Sequence, residues 1–301
     1  MSKIEKLAAI DIGSNAVRLL INAVFLENGL IKQKKVSLVR VPIRLGEDVF
    51  TSGKISEEKI KLLSKTIKAF RFLMQVHGVT RFKAVATSAM REASNASKII
   101  NQISIKNNII IDVITGKREA LIIANVFLNS GINLSNSYLY VDVGGGSTEL
   151  NIISEKKIIK SKSFKIGTVR YINDNISDNE WKKYKDWIFN EANKFKNIVI
   201  IASGGNAGKI LKIANKKTYE EISKDDLINI RSYVKSLSYE DRLFKLQLNE
   251  DRADVIIPAM TIYLEAMKYS SSETFIVPRI GLADGVISQI YNRKNYGQKL
   301  N

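Results

Sequence analysis

At 301 residues the chain has room for one large domain or two ordinary ones, and a hydrophobic content of 45% with three prolines excludes a disordered chain. With no cysteine it can build neither a disulfide framework nor a thiolate metal site, and no apolar run reaches the roughly 18 residues that would span a bilayer. Its 47 basic and 30 acidic residues leave a net charge of +17, which argues against a cationic partner and for an anionic one.

The opening "MSKIEKLAAIDIGSN" passes from polar positions straight into a strand, without the apolar stretch of a leader peptide, so a cytoplasmic location is expected. Residues 7–12 (LAAIDI) read as a buried strand and 17–26 as its partner across the "GSN" turn, with a third strand at 34–41. An amphipathic helix is expected over 56–77, where Ile60, Leu63, Ile67, Phe70 and Met74 recur at helical spacing. A strand at 82–87, a helix over 88–104 opened by Ser88, a strand at 109–114 and a helix from about Arg118 to Leu128 follow. The pattern then restarts, with strands at 138–143, 148–153 and 157–163, a helix near 178–195, a strand at 198–202 and the turn "SGGN". The remainder reads as mostly helical, ending with a helix at 282–293.

Both halves therefore run strand, Asp-x-Gly turn, strand, strand, helices, which is a duplication of topology. The expected division is a first lobe of 1–120 plus 286–301 and a second lobe of 121–285. The first carries 24 basic and 10 acidic residues, the second 23 and 20. Codon bias toward A/T accounts for part of the lysine excess, and the uneven distribution points to a field on one lobe.

The two turns are "AIDIGSN" at 9–15 and "VDVGGGSTE" at 141–149. Small residues in a tight turn leave successive N–H groups uncovered, and such a nest binds phosphate oxygens. Gly144, Gly145 and Gly146 supply such donors, with the Ser147 and Thr148 hydroxyls beside them. Asp142 and Glu149 would repel a bare phosphate, a conflict that a hard cation such as Mg²⁺ resolves. A plain hairpin with a solvated Glu149 is the alternative. The dinucleotide and Walker phosphate loops are excluded: "GGGSTE" leads into a strand, and "ITGKREA" and "GGNAGKI" lack the required spacing.

The paired turns resemble the actin/Hsp70/sugar-kinase superfamily. Seven segments in order, "AAIDIGSNAVRLLI", "ATSAMREASN", "ITGKREALII", "VDVGGGSTEL", "SFKIGTVR", "IASGGNAGKI" and "DRADVIIPAM", resemble the exopolyphosphatase/guanosine pentaphosphate phosphohydrolase (Ppx/GppA) family over nearly the whole chain. The resemblance implies an α/β fold of two ribonuclease-H-like lobes with an active-site cleft between them, in the short, two-domain form. It implies Glu119 as general base, although the family's Gly-x-Glu-Glu-Ala reads "GKREA" here and retains one acid of the pair. Arg91 is implied as a phosphate contact, and Ser14 and Asn15 as closing on the terminal phosphate. Mg²⁺ would be held by Asp142 and Glu149, with Asp11 positioning the metal or its waters. Gly204 and Gly205 would offer donors to a further phosphate.

Other roles remain open for several of these residues. Glu119 could complement a helix dipole, Arg91 could join a helix-face ion pair, and Asp11 could brace its own turn. Arg252 in "DRAD" could extend an anion track or close an intrahelical salt bridge, and His77 reads as structural. The family arginine of the segment "GLADG" is replaced by Ala283.

The expected activity is exopolyphosphatase, releasing orthophosphate from inorganic polyphosphate. The alternatives are guanosine pentaphosphate hydrolysis, an actin-like kinase, or a sensor that binds these ligands without turnover. No basic motif with interleaved aromatics supports nucleic-acid binding, and family resemblance suggests a homodimer.

Overall fold

The computed structural model describes residues 4–27, 29–128, 136–293 and 296–300. Residues 1–3, at the head of the stretch read as leaderless, lie outside them. The chain divides into two compact units, Met1–Thr115 with Leu282–Asn301, and Gly116–Gly281.

In the first unit β1 (Glu5–Ile12), β2 (Val17–Glu27) and β3 (Leu30–Val41) form an antiparallel meander. β4 (Arg81–Ala86) pairs parallel with β1, and β5 (Ile111–Val113) pairs parallel with β4. The short β12 (Gln298–Lys299) takes the other end of the same β4 edge, antiparallel. The helices are α1 (Leu45–Ser52), α2 (Glu57–Val76), α3 (Ser88–Glu92), α4 (Ala96–Asn107) and, from the chain end, α13 (Leu282–Asn292). Helix α2 buries the residues its periodicity predicts: Ile60, Leu63, Ile67, Phe70 and Met74. Ser56 caps it by accepting from the Lys59 N–H. His77 forms its C-terminal boundary, in keeping with a structural role.

The second unit repeats the plan. β6 (Tyr138–Val143), β7 (Thr148–Ser154) and β8 (Lys157–Phe164) are antiparallel, and β9 (Val199–Ser203) and β11 (Thr274–Ile276) extend the sheet in parallel beside β6. β10 (Ile222–Ser223) adds an antiparallel edge. Around this sheet come α5 (Gly116–Leu128), α6 (Thr168–Ile172), α7 (Asp178–Ala192), α8 (Ala207–Ile213), α9 (Lys224–Ser236), α10 (Tyr239–Phe244), α11 (Glu250–Ala253) and α12 (Ile256–Ser270). The orders β3-β2-β1-β4-β5 and β8-β7-β6-β9-β11 are the same walk through two sheets. The expected α/β fold with a duplicated lobe is the observed one.

Four differences have local causes. The helix expected over 88–104 breaks at Ala93, which is extended at φ −66, ψ 124. There Asn95 clasps the loop below, its Oδ1 accepting from the Ile55 N–H at 3.0 Å and its Nδ2 donating to the Ile55 carbonyl at 2.8 Å. Those side-chain bonds compete with a continuous helix. Helices α1 and α6 were not expected, because each is too short to show a period. β11 lies in a stretch read as helical, where a three-residue apolar run carries no distinguishing period.

The fourth difference is the division of the chain, at 115/116 and 281/282 instead of 120/121 and 285/286. Helix α5 packs on β7 and β8, and α13 on β1, β2 and β4, so each joins its unit from its first residue. Glu119 therefore belongs to the second unit. With these bounds the first unit holds 22 basic and 10 acidic residues and the second 25 and 20, net +12 against +5. No helix among the described residues is long and apolar enough to cross a membrane.

Candidate functional site

The glycine turn of the second unit is built so that its carbonyls face inward. The Gly144 N–H donates to the Ser147 carbonyl at 2.9 Å, closing the turn between β6 and β7. The first residues of α6 then claim the remaining carbonyls. Thr168 N–H donates to Gly144 at 3.0 Å and Val169 N–H to Gly145 at 2.8 Å. The buried Arg170 donates from Nε to the Gly146 carbonyl at 2.6 Å. With the carbonyls tied to α6, the N–H groups of Gly145 and Gly146 carry no hydrogen bond to another described residue. Open N–H groups in succession can receive the oxygens of an anion.

Gly167 makes this possible. It leads into α6, and a Cβ there would lie 2.4 Å from the Gly145 carbonyl oxygen. Its φ of −149 is ordinary extended backbone, so space alone requires glycine.

The first unit uses the same device. Gly13 N–H donates to the Ala16 carbonyl at 3.1 Å, Gly46 N–H to Ser14 at 2.7 Å and Arg44 N–H to Asn15 at 2.9 Å. Helix α1 plays the part of α6, and Gly46 that of Gly167. Ser14 is buried, its Oγ 2.7 Å from Ser88 Oγ at the start of α3. Asp11, also buried, accepts from Arg18 Nη1 at 3.0 Å. Burial raises the Asp11 carboxyl above its usual range, and the Arg18 guanidinium opposes that shift. Arg91 Nη1 donates to the Ile114 carbonyl at 2.6 Å, so part of its fork braces the end of β5.

In the second unit Asp142 and Glu149 are directly paired across β6 and β7, which puts both side chains on one face. Glu149 is 1% exposed, and its Oε1 accepts from Ser147 Oγ at 2.7 Å and Ser163 Oγ at 2.9 Å. The Ser147 hydroxyl is thus given to Glu149, and that of Thr148 goes to the Ile166 carbonyl.

Gly204 follows β9 at φ +103, and a Cβ would meet the Val143 carbonyl oxygen at 2.3 Å and Asp142 Oδ1 at 3.1 Å. Both space and conformation demand glycine there, next to Asp142. Asn206, two residues on, is buried, and its Oδ1 has no hydrogen-bond partner among the described residues. The N–H groups of Gly204 and Gly205 are likewise unbonded among them.

Glu119 sits in the first turn of α5 and is 7% exposed. Phe127 holds the helix edge-on to Tyr138 and Tyr140 of β6, at centroid distances of 5.5 and 5.8 Å. Asn151 of β7, fully buried, donates from Nδ2 to the Ala120 carbonyl at 3.2 Å and accepts from Ser161 Oγ at 2.5 Å. The residue next to Glu119 is therefore pinned to the sheet.

Among the described residues no three His, Cys, Asp or Glu side chains converge as a metal cluster. A cavity lined by Tyr171, Trp181, Lys185 and Tyr269 shares no residue with either turn. Sequence reasoning missed Gly46, Gly167, Arg170 and Asn151. "SFKIGTVR" was visible as a segment, but its glycine reveals its purpose only against Gly145.

A sequence model of the Ppx/GppA phosphatase family matches residues 31–294. A bifunctional 3-dehydroquinate synthase/phosphatase of Fusobacterium nucleatum is 30% identical over 295 residues, which is 90% of this chain and 44% of that protein, so the chain spans under half of that relative's length. Exopolyphosphatase 1 of Mycobacterium leprae is 23% identical over 94% of this chain and 88% of its own. The crystal structure of the Aquifex aeolicus Ppx/GppA family member superposes with a TM-score of 0.75 at 25% identity, covering 97% of this chain and 99% of that one. With the motifs, the duplicated sheets and the matched turns in agreement, the chain belongs to the Ppx/GppA phosphatase family.

Proposed function

We propose that the chain is an exopolyphosphatase, releasing orthophosphate hydrolytically from the end of inorganic polyphosphate. The observation that carries this reading is the Gly144–Ser147 turn, whose carbonyls are held by α6 while the N–H groups of Gly145 and Gly146 stay open to an anion. Glu119 takes the proton of the attacking water. As the water oxygen bonds to the terminal phosphorus, the bridging P–O bond breaks and its electron pair stays on the shortened chain. At 7% exposure Glu119 is screened from bulk water, as a base serving a single positioned water has to be.

The donor set suits Mg²⁺, which needs only one or two carboxylates because it keeps most of its waters. Asp142, with Glu149 beside it already holding two serine hydroxyls, would hold the ion. When bound, the ion neutralises charge on the terminal phosphate. Asp11, paired with Arg18, positions its own turn. Ser14, Asn15, Arg91, Gly204 and Gly205 contact phosphates of the substrate. The net +12 of the first unit favours a long polyanion over a nucleotide.

The test is phosphate release with Mg²⁺ from long polyphosphate, short polyphosphate and guanosine pentaphosphate at matched terminal-phosphate concentration. Faster release from polyphosphate upholds the reading. Preference for the guanosine nucleotide replaces it with the pentaphosphate hydrolase, and no release from any substrate, with binding retained, leaves a sensor.

A further inference from the structure

Resting on the phosphatase reading, we propose that Lys209, Lys212 and Arg279 of the second unit form a second phosphate-binding subsite beside the Gly204–Asn206 turn. It takes the phosphate groups that the substrate carries beyond the one that is cleaved.

Helix α8 starts directly after that turn and sets Lys209 and Lys212 three residues apart, on one face and about 5–6 Å from each other. Both ammonium groups reach the same neutral residue. Lys209 Nζ donates to the Gln247 carbonyl at 3.2 Å and Lys212 Nζ to Gln247 Oε1 at 3.1 Å. Arg279 approaches from the loop after β11, its Nε 4.0 Å from where a Gly208 Cβ would lie. It is exposed and in the left-handed region at φ 53.

No described carboxylate answers Lys209, Lys212 or Arg279. Some lysines of this unit do find acids: Lys160 and Lys194 share Glu191, Lys185 meets Glu265 and Lys245 meets Asp241. A net charge of +5 spread over the whole unit does not by itself collect unanswered cations at one turn. Burial holds the Lys209 ammonium below its usual value, and the charges of Arg252 and Lys212 push it further down. An anion bound among them relieves that repulsion. The donors on the same turn are the N–H groups of Gly204 and Gly205, which carry no hydrogen bond to another described residue.

The turn itself lies against Asp142 and Val143 through Gly204, so the cations continue outward from the candidate metal ligand. The matching chemistry is a run of linked phosphates. Either the inner phosphates of polyphosphate or the 3′-diphosphate of guanosine pentaphosphate carries it.

The experiment measures binding, not turnover, so it reads the subsite even if hydrolysis fails. Fluorophore-labelled long polyphosphate is titrated with the full chain in EDTA and followed by anisotropy, with tripolyphosphate and guanosine pentaphosphate as competitors. Lys209→Gln/Lys212→Gln is expected to weaken long polyphosphate about tenfold, as the loss of two charge-assisted contacts implies, and tripolyphosphate by less than about twofold. Lys61→Gln/Lys65→Gln, which removes equal charge from the exposed face of α2, serves as the control. An Arg279→Gln change should add to the loss. A loss seen for guanosine pentaphosphate and not for polyphosphate keeps the subsite and assigns it to the nucleotide's 3′-diphosphate. An equal loss in the α2 control, or no loss for either polyanion, overturns the proposal. Retained binding loss in a chain that releases no phosphate from any substrate sinks the hydrolase reading alone.

Discussion

Gly167→Ala isolates the device on which the phosphate turn depends. The added Cβ would lie 2.4 Å from the Gly145 oxygen, 2.5 Å from its carbonyl carbon and 2.6 Å from the Gly146 carbonyl carbon. All three atoms are backbone, so no rotamer change relieves the contact and α6 must move off the turn. Overpacking of this kind costs about 1–3 kcal/mol. Weakening the bonds from Thr168, Val169 and Arg170 adds roughly 0.5–1.5 kcal/mol for each one lost. A total near 2–4 kcal/mol lowers the melting midpoint by roughly 5–15 °C for a unit of this size. Once released, the Gly145 and Gly146 carbonyls can rotate toward the phosphate, so phosphate release should fall by more than about tenfold at temperatures where the variant is folded. Gly46→Ala is the comparison. Its Cβ would meet the Phe50 ring at 2.6 Å and Ser14 Cβ at 2.9 Å; the ring can swing away, which leaves one fixed contact against three, so its cost should be smaller. Melts by circular dichroism, paired with phosphate-release assays on both variants, decide the matter. A Gly167→Ala protein that melts and turns over like the parent, or a Gly46→Ala protein that suffers more, refutes the argument.

Glu119→Gln keeps the shape of the side chain and removes the proton acceptor, so kcat should drop by roughly 10²–10⁴-fold with the melt unchanged; a loss confined to KM would assign Glu119 to binding. Asn151→Leu leaves the Ala120 carbonyl and Ser161 hydroxyl without their buried partner, at about 1–3 kcal/mol. As a positioning residue for Glu119 it should lower kcat more than it raises KM, and rescue by Asn151→Gln would be incomplete because the longer amide misplaces its Nδ2 equivalent. Asp11 gives a pH signature. Burial raises its folded carboxyl above the usual 3.8, so its share of stability is present below that value and is lost as pH rises through the folded pKa. Asp11→Asn should flatten that limb of the denaturant-midpoint profile, and a parallel profile would show that Asp11 titrates normally.

Much of this molecule was legible because its signals are local. LAAIDI and YLYVDV are buried strands by composition, α2 declares itself through Ile60, Leu63, Ile67, Phe70 and Met74, and two Asp-x-Gly turns announce the duplication. The pairing of Asp142 with Glu149 on one face and the place of Glu119 in the first turn of a helix were likewise legible in sequence. What escaped is information held in contacts between distant segments. Ser147 looks like a phosphate donor until Glu149 and Ser163 are seen around it, and that part of the Arg91 fork braces the Ile114 carbonyl is likewise invisible in sequence. Asn95 breaks a helix by holding a loop 40 positions away in the chain.

The short helices α1 and α6 show most clearly where sequence reading stops. Each is too brief for periodicity to detect, yet each takes the carbonyls that would otherwise face an anion. The nest is therefore not a property of "GGGS" alone. Three glycines permit many turn conformations, and an isolated peptide would present carbonyls and amides alternately to solvent. Thr168, Val169 and Arg170 select the conformation in which the amides face out, and Gly167 lets them come close enough to do it. That the first unit reaches the same arrangement with Arg44, Gly46 and a two-serine contact, without sequence likeness between the two helices, makes carbonyl capture the feature the duplicated fold preserves. It follows that function in this chain should respond more sharply to changes at Gly167 and Arg170, which touch no substrate in the proposed mechanism, than to replacement of the Ser147 hydroxyl that faces Glu149.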